Sequence, residues 1–382
     1  MQTLQPALKR GRDVWDPIHL PRKVFEERLD QLRDGMRGEG IDVLLLYGNG
    51  VNEYGYPSYL SNVVIKVAKG AVVVLPMKEE PILIVEGFPR DLPEVRSTTW
   101  MSDVRACGDI SQECLKVIQE KGFSSSTIGF VGVKTLMPYG KYRFLVGALG
   151  GSQILDAEHL VKEMRSLKSE RECDQIRRAS RIVRNGFSSL DQIPVSALGE
   201  HGLEAVLDCN ARLEGAEDIR ILFGRPQDDA WVLRPAENAP LSEGEGLIVY
   251  LAVAFERYWA EGIRTFRCEK SSLVEHSNRE ITKVFGEILH LMRPGKSVAD
   301  FYKEALHETK KASLDTIPTY GLGHGIGLSL QEFPNLEEGV TDDLKNGMCF
   351  AIRMAAKDKE LGSAMIGETI VLSDDHQSVL TR

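Results

Sequence analysis

The stretch GLGHGIGLSLQEFP, residues 321–334, sets one histidine, His324, among Gly321, Gly323, Gly325 and Gly327. None of these glycines carries a side chain that could cover the imidazole. The local sequence therefore reads as a bare titratable ring on a backbone free to turn sharply or to lie close against another strand. Such a histidine fits a tight structural turn. It also fits a general acid or base, because imidazole is the side chain that titrates near neutrality.

Working outward, GMCFAIRM (347–354) and the run at 364–372 are apolar segments of strand length. On the other side lie helical patterns at 298–313 and 277–293, strand-like runs at 258–266 and 247–255, and a helical pattern at 198–214. Both halves of this region run helices followed by paired strands, which suggests an internal duplication without detectable sequence identity. At 165–179, RSLKSERECDQIRRA, Ser169 and Glu172 have the spacing of a capping box that opens a long charged helix. The charge-rich approach to it reads as a linker. Before the linker, a helical pattern at 24–38 and strand candidates at 41–48, 70–76, 81–87 and 126–133, with a helix at 110–121, describe an α/β layer with a mostly parallel sheet. Asn49-Gly50 and Gly55-Tyr56-Pro57 mark a turn-rich surface loop after the first strand.

At 382 residues the chain exceeds one ordinary core, so two domains are expected, divided at 158/159. The composition, 42% hydrophobic and 27% charged, is that of a folded globular chain. A formal charge of −9 argues against nucleic-acid binding, which usually brings a basic patch. The N-terminal twenty residues carry basic side chains but no apolar h-region, and no window of about 18 uncharged apolar residues occurs. A cytoplasmic protein with no membrane partner is the expectation. Cys107, Cys114, Cys173, Cys209, Cys268 and Cys349 show no CxxC spacing and no clustering with histidine, so they read as reduced core thiols.

GLGHGIGL resembles the signature of the creatinase, prolidase and aminopeptidase P family, the pita-bread enzymes. LKSERECDQIRRAS (167–180) is similar to that family's linker-helix opening, IVYLAVAFERYWAEGIRTF (248–266) to its paired-strand segment, and GMCFAIRM and MIGETIVL (365–372) to its last two strands. The resemblance implies an α/β N-terminal domain, 1–158, followed by an α+β pita-bread domain, 159–382, in a homodimer. It also implies that Tyr54, Tyr56 and Tyr59, with Lys66, could reach a neighbouring subunit's cleft.

Metal-dependent members of the family hold two divalent ions with two aspartates, a histidine and two glutamates. Carried over, those positions fall on Tyr250, Glu261, His324, Arg353 and Gly367, with Glu368 following the last; a second family histidine becomes Gln331. Only Glu261 and His324 remain as ligands, too few for a pair of hard cations. Arg353 adds a permanent cation where a metal would sit. No metal and no other cofactor is expected. Creatinase works without metal but uses a histidine upstream of the paired strands. Here that region, 228–245, offers Arg234 and no histidine, which argues against creatine as substrate.

The implied site therefore joins His324 and Glu261 as catalytic residues to Arg353, Tyr250, Arg234, Gln331 and Glu368 as substrate-binding ones. Arg353 presents a planar fork suited to a carboxylate, a phosphate or a developing oxyanion. The reading is a metal-independent hydrolase, or else a lyase, acting on a small anionic nitrogen-containing substrate. Two alternatives compete with it: a non-catalytic module in which Arg353 pairs with Glu261 in a closed cleft and a peptide or protein is bound, and an Xaa-Pro metallopeptidase. His201, His276, His290, His307 and His376 read as solvated, and Trp231 and Trp259 as core.

Overall fold

Val43–Asn49, the first apolar run, is β1, the strand on which the first half of the chain is built. The computed structural model describes residues 14–382 apart from 52, 66–68, 191–194, 228–231, 239, 271, 318–320 and 374–375. Lys66 and Trp231 lie outside the described residues. The chain divides into two compact units, one ending at Arg165 and the other beginning at Ser166. Among the described residues no helix is long and apolar enough to cross a membrane.

The first unit carries β2 (Gly70–Pro76), β3 (Ile82–Glu86), β4 (Asp103–Cys107), β5 (Thr127–Val131) and β6 (Gln153–Asp156), in the sheet order β4-β3-β2-β1-β5-β6. The sheet is mixed, not mostly parallel: β1 runs antiparallel to β2 and β2 to β3, whereas β3–β4, β1–β5 and β5–β6 are parallel. The turn between β2 and β3 is too short for the crossover that parallel pairing requires. The segment after β1 also differs from expectation. Gly55–Ser61 is a short helix whose residues are all buried, so Tyr56 and Tyr59 belong to the interior of this unit. The Tyr56 hydroxyl donates to Glu158 at 2.7 Å.

In the second unit the expected capping box is formed. Glu172 accepts from the Ser169 hydroxyl at 2.8 Å and from its backbone N–H at 3.0 Å, opening the helix Glu170–Leu190. The remaining strands are β7 (Asp218–Gly224), β8 (Gly246–Phe255), β9 (Tyr258–Glu269), β10 (Ser272–Glu275), β11 (Gly323–Gly325), β12 (Glu332–Asn335), β13 (Cys349–Asp358), β14 (Gly362–Ser373) and β15 (His376–Val379). The main path runs β12-β11-β13-β14-β9-β8-β7. The order is a palindrome of two halves: β7-β8-β9 follows the helices Glu170–Leu190 and Val195–Leu213, and β11-β13-β14 follows Arg279–Leu291 and Val298–Lys311.

Where the halves meet, β9 and β14 pair through Ile263 and Gly367. To one side the Thr369 hydroxyl accepts from Glu261 N–H and donates to Glu261 C=O, both at 2.8 Å. To the other side the Thr265 hydroxyl does the same to Met365, at 2.9 Å each. The duplication suggested by the sequence is thus visible as a local two-fold about the Ile263–Gly367 pair.

Strand alternation sorts the sheet into two faces. Val249, Leu251, Val253, Ala260 and Phe266 pack with Ile182, Val183 and Leu207 of the first helix pair, and Phe350, Ile352, Met354 and Ile370 pack with Phe285, Ile288 and Phe301 of the second. Each apolar helix stripe is buried against this back face. The residues between them in sequence therefore project from the opposite, front face.

Candidate active site

The register fixes which side chains share the front face. Reading across the strands, Arg220 lies opposite Ala252 and Ala252 opposite Glu261. Thr369 bonds the Glu261 backbone and lies opposite Ala351, which is opposite His324. A second row sets Leu222, Tyr250, Ile263, Gly367 and Arg353 side by side. Residues distant in sequence, 250, 261, 324 and 353, are thereby delivered to one surface by four strands. The alanines in the first row leave room above the sheet for the longer groups.

His324 can occupy this position because Gly323 lacks a side chain. Gly323 has φ +140°, and a Cβ there would lie 2.0 Å from the Ala351 carbonyl oxygen. Only glycine lets β11 lie this close to β13. The ring is nonetheless not bare: His324 is 5% exposed and Glu261 3%. Tertiary neighbours supply the cover that the glycines cannot.

Glu261 is the hub. Its Oε2 accepts from the Tyr250 hydroxyl at 2.8 Å; its Oε1 faces Arg353 Nη1 at 3.5 Å and His324 Nε2 at 3.8 Å. The other ring nitrogen of His324, Nδ1, is 2.9 Å from the Gly325 carbonyl oxygen, which can only accept, so Nδ1 carries a proton. Nε2 is left pointing at the carboxylate across a gap longer than a hydrogen bond. Burial, then the negative charge of Glu261 and the hydrogen bond to it, push the Tyr250 phenol well above its ordinary range. Tyr250 stays protonated and donates.

Three of the expected site residues are placed elsewhere. The Glu368 carboxylate binds Arg264 at 3.0 Å and accepts from the Thr381 hydroxyl at 2.5 Å. One residue beyond Gly367, it projects from the back face, since a shift of one position along a strand reverses the side. Arg234 bridges the edge strand β7 at Phe223, and its guanidinium is held by the buried Glu200 at 2.7 Å. Arg225 and the Glu237 N–H also bind Glu200; burial works to raise that carboxyl, but these donors outweigh it and hold its pKa below the ordinary value. Gln331 is exposed and donates to Asn335 at 3.0 Å. His276 also departs from expectation. It is largely buried, with Nε2 3.0 Å from Asp358, a carboxyl lowered to about 2 because hydrogen bonds from Asn278, His276 and two backbone N–H groups outweigh its burial. The side chain of His376 lies outside the described residues.

Other residues of the site were not legible in the sequence. Ile263 fills the space a side chain at 367 would need, with its Cγ1 2.9 Å from where a Cβ would stand. Lys168 and Glu332 form a buried ion pair at 3.0 Å beneath the loop that follows His324, and the Ser329 N–H donates to the same carboxylate at 3.0 Å. Arg220 was invisible because β7 was not recognised as a strand.

The side chains present do not fit a metal pair. Gly367 offers no donor, its place being taken by the alkyl group of Ile263; Tyr250 is held protonated; and the Arg353 guanidinium lies on the carboxylate that would have to bridge. Among the described residues no group of three His, Cys, Asp or Glu side chains is arranged to hold an ion.

Comparison with known proteins agrees with this architecture. The creatinase from Bacillus sp. (strain B-0618) is 23% identical over 349 residues, 87% of this chain and 82% of that one. The putative dipeptidase YkvY of Bacillus subtilis (strain 168) is 20% identical over 314 residues, 80% and 85% of the two chains. The X-Pro aminopeptidase from Thermotoga maritima MSB8 superposes with a TM-score of 0.77 at 19% identity, covering 93% of this chain and 97% of its own. The profile of the creatinase/prolidase N-terminal domain matches residues 28–167, and that of metallopeptidase family M24 matches 174–374, more than half of the chain. With a creatinase-type α/β unit followed by a pita-bread unit, the chain belongs to family M24.

Proposed function

We propose that this protein is a metal-independent hydrolase that cleaves a C–N bond in a small anionic nitrogen-containing molecule, such as an N-substituted amino acid. The observation that carries the reading is the His324–Glu261 arrangement: an imidazole anchored at Nδ1, with Nε2 aimed across 3.8 Å at a buried carboxylate. A water oxygen or a substrate nitrogen seated off the line joining these two atoms, about 2.8 Å from each, hydrogen-bonds to both. A water held there gives its proton to His324 Nε2 as its oxygen attacks the substrate carbon, and the facing Glu261 carboxylate stabilises the imidazolium that forms. His324 then returns a proton to the departing nitrogen, so that C–O forms, C–N breaks and no net proton is gained. Tyr250 holds Oε2, which leaves Oε1 facing the histidine. Arg353, partly exposed, presents its fork to the substrate's carboxylate.

Protein dialysed against a chelator, with residual metal quantified, tests the proposal against N-carbamoyl, N-acyl and N-amidino amino acids and Xaa-Pro dipeptides. Turnover of an N-substituted amino acid, undiminished by the chelator, is the expected result. Turnover that returns only with Mn²⁺, Co²⁺ or Zn²⁺ defeats it. Replacing Arg353 with Met raises KM for carboxylate-bearing substrates by about ten-fold or more, with a smaller change in kcat. An unchanged KM would assign Arg353 to scaffolding.

A second reading, a non-catalytic peptide-binding module, is supported by one feature: Tyr250 and Arg353 already occupy both oxygens of Glu261. Peptide binding without turnover of any compound in the panel would favour it.

A further inference from the structure

The cationic side chain nobody would assign from sequence is Arg220. It stands on the front face in the same row as Glu261, separated from it by Ala252 alone, roughly 10 Å away across two strand spacings. Its guanidinium carbon lies 5.9 Å from the centre of the Trp259 ring, and Nη2 reaches Asp218 at 3.2 Å. Exposure separates the partners in both arginine pairs. The Arg220 side chain is 58% exposed over an Asp218 that is 11% exposed, and the Arg353 side chain 22% over a Glu261 that is 4% exposed. In each pair the carboxylate is recessed and the guanidinium faces outward. A molecule approaching this face therefore meets two cations, one on each side of the Tyr250–Glu261 pair. Both arginines are close enough to Tyr250 for their charge to act on its phenol.

From this placement we infer that the site takes a dicarboxylate: one carboxylate on Arg353 beside the reacting bond, and a second on Arg220 on the far side of Tyr250. The inference rests on the reading of Arg353 as an anion anchor and adds to it the length and second charge of the ligand. Arg220 acts as a specificity residue. Ala252 is what permits it, because a larger side chain between Arg220 and Glu261 would fill the path along which the ligand's chain must lie. Trp259, buried beneath the guanidinium, limits how far that head can swing away.

Glutarate and valerate, with five carbons each but two charges against one, separate the possibilities in calorimetric titrations of the intact protein. Glutarate is expected to bind wild type about ten-fold more tightly than valerate, the discrimination one added charge-assisted contact provides. Arg220→Met is expected to abolish that preference while leaving valerate binding unchanged, and Arg220→Lys to retain part of it. Arg353→Met weakens both ligands. Equal affinities of wild type for the two acids, or a preference that survives in Arg220→Met, overturns the inference while leaving the Arg353 assignment intact. Valerate binding that is indifferent to Arg353→Met defeats that underlying assignment and the inference with it. Arg220 is an exposed side chain whose ion pair among the described residues is the one with Asp218, so a thermal melt close to that of wild type is expected for its variants and checks that they fold.

Discussion

Replacing His324 with alanine lowers kcat by about 10²-fold or more. Among the described residues of the front face the ring is the imidazole, the group suited to both accepting and returning a proton, and its Nε2 has Glu261 as its facing partner. Without it, Glu261 remains with Tyr250 and Arg353 on its oxygens, and the imidazole that would carry a proton to the leaving nitrogen is gone. The fold tolerates the change, because β11 is held to β13 by backbone pairing at Gly323, His324 and Gly325, which the substitution leaves in place. A steady-state assay alongside a thermal melt checks both halves of the expectation. Wild-type kcat in the variant removes the histidine from the chemistry.

The second large effect is on stability. Glu332→Ala leaves the Lys168 ammonium, whose side chain is 2% exposed, without its carboxylate, and removal of one partner from a buried pair costs about 3–5 kcal/mol. The double replacement Lys168→Met with Glu332→Leu recovers much of that loss, because two apolar groups of similar volume need no partner. The remaining deficit is the Ser329 N–H, which has lost its acceptor. Urea unfolding of the three proteins measures this. If the double variant is no more stable than Glu332→Ala, the cost lies in the loop geometry and not in the stranded charge. The pair matters to function because it pins the turn between His324 and Glu332: Gly327 packs against both side chains, and its carbonyl accepts from Trp259 N–H at 2.7 Å, joining the loop to the β8–β9 hairpin.

The two-unit architecture, the capping box at Ser169 and Glu172, the four long strands of the second unit and the residues His324, Glu261, Tyr250 and Arg353 were all legible in the chain. The architecture, the capping box and the strands are local patterns, whereas the four site positions came from the family resemblance, carried onto long regular strands that keep them in step. What failed did so for identifiable reasons. Glu368 was placed in the site by adjacency to Gly367, but adjacent residues on a strand face opposite ways. Arg234 was placed there because it falls nearest the position of creatinase's upstream histidine, but the buried Glu200, 34 residues earlier, holds its guanidinium. Gln331 occupies a position that in the family carries a histidine, and the loop that holds it turns it to solvent.

Sequence alone named the individual groups: a glycine-flanked imidazole, and, through the family resemblance, a glutamate, an arginine and a tyrosine at positions where that family's metal ligands stand. Tertiary structure decided which of these groups meet, because pairing between strands a hundred residues apart sets the register, and register assigns every side chain to the solvent-facing or the helix-covered side. It alone revealed Ile263 filling the vacancy at Gly367 and Arg220 standing across from Arg353, since neither relation exists until β7, β9, β13 and β14 are laid side by side.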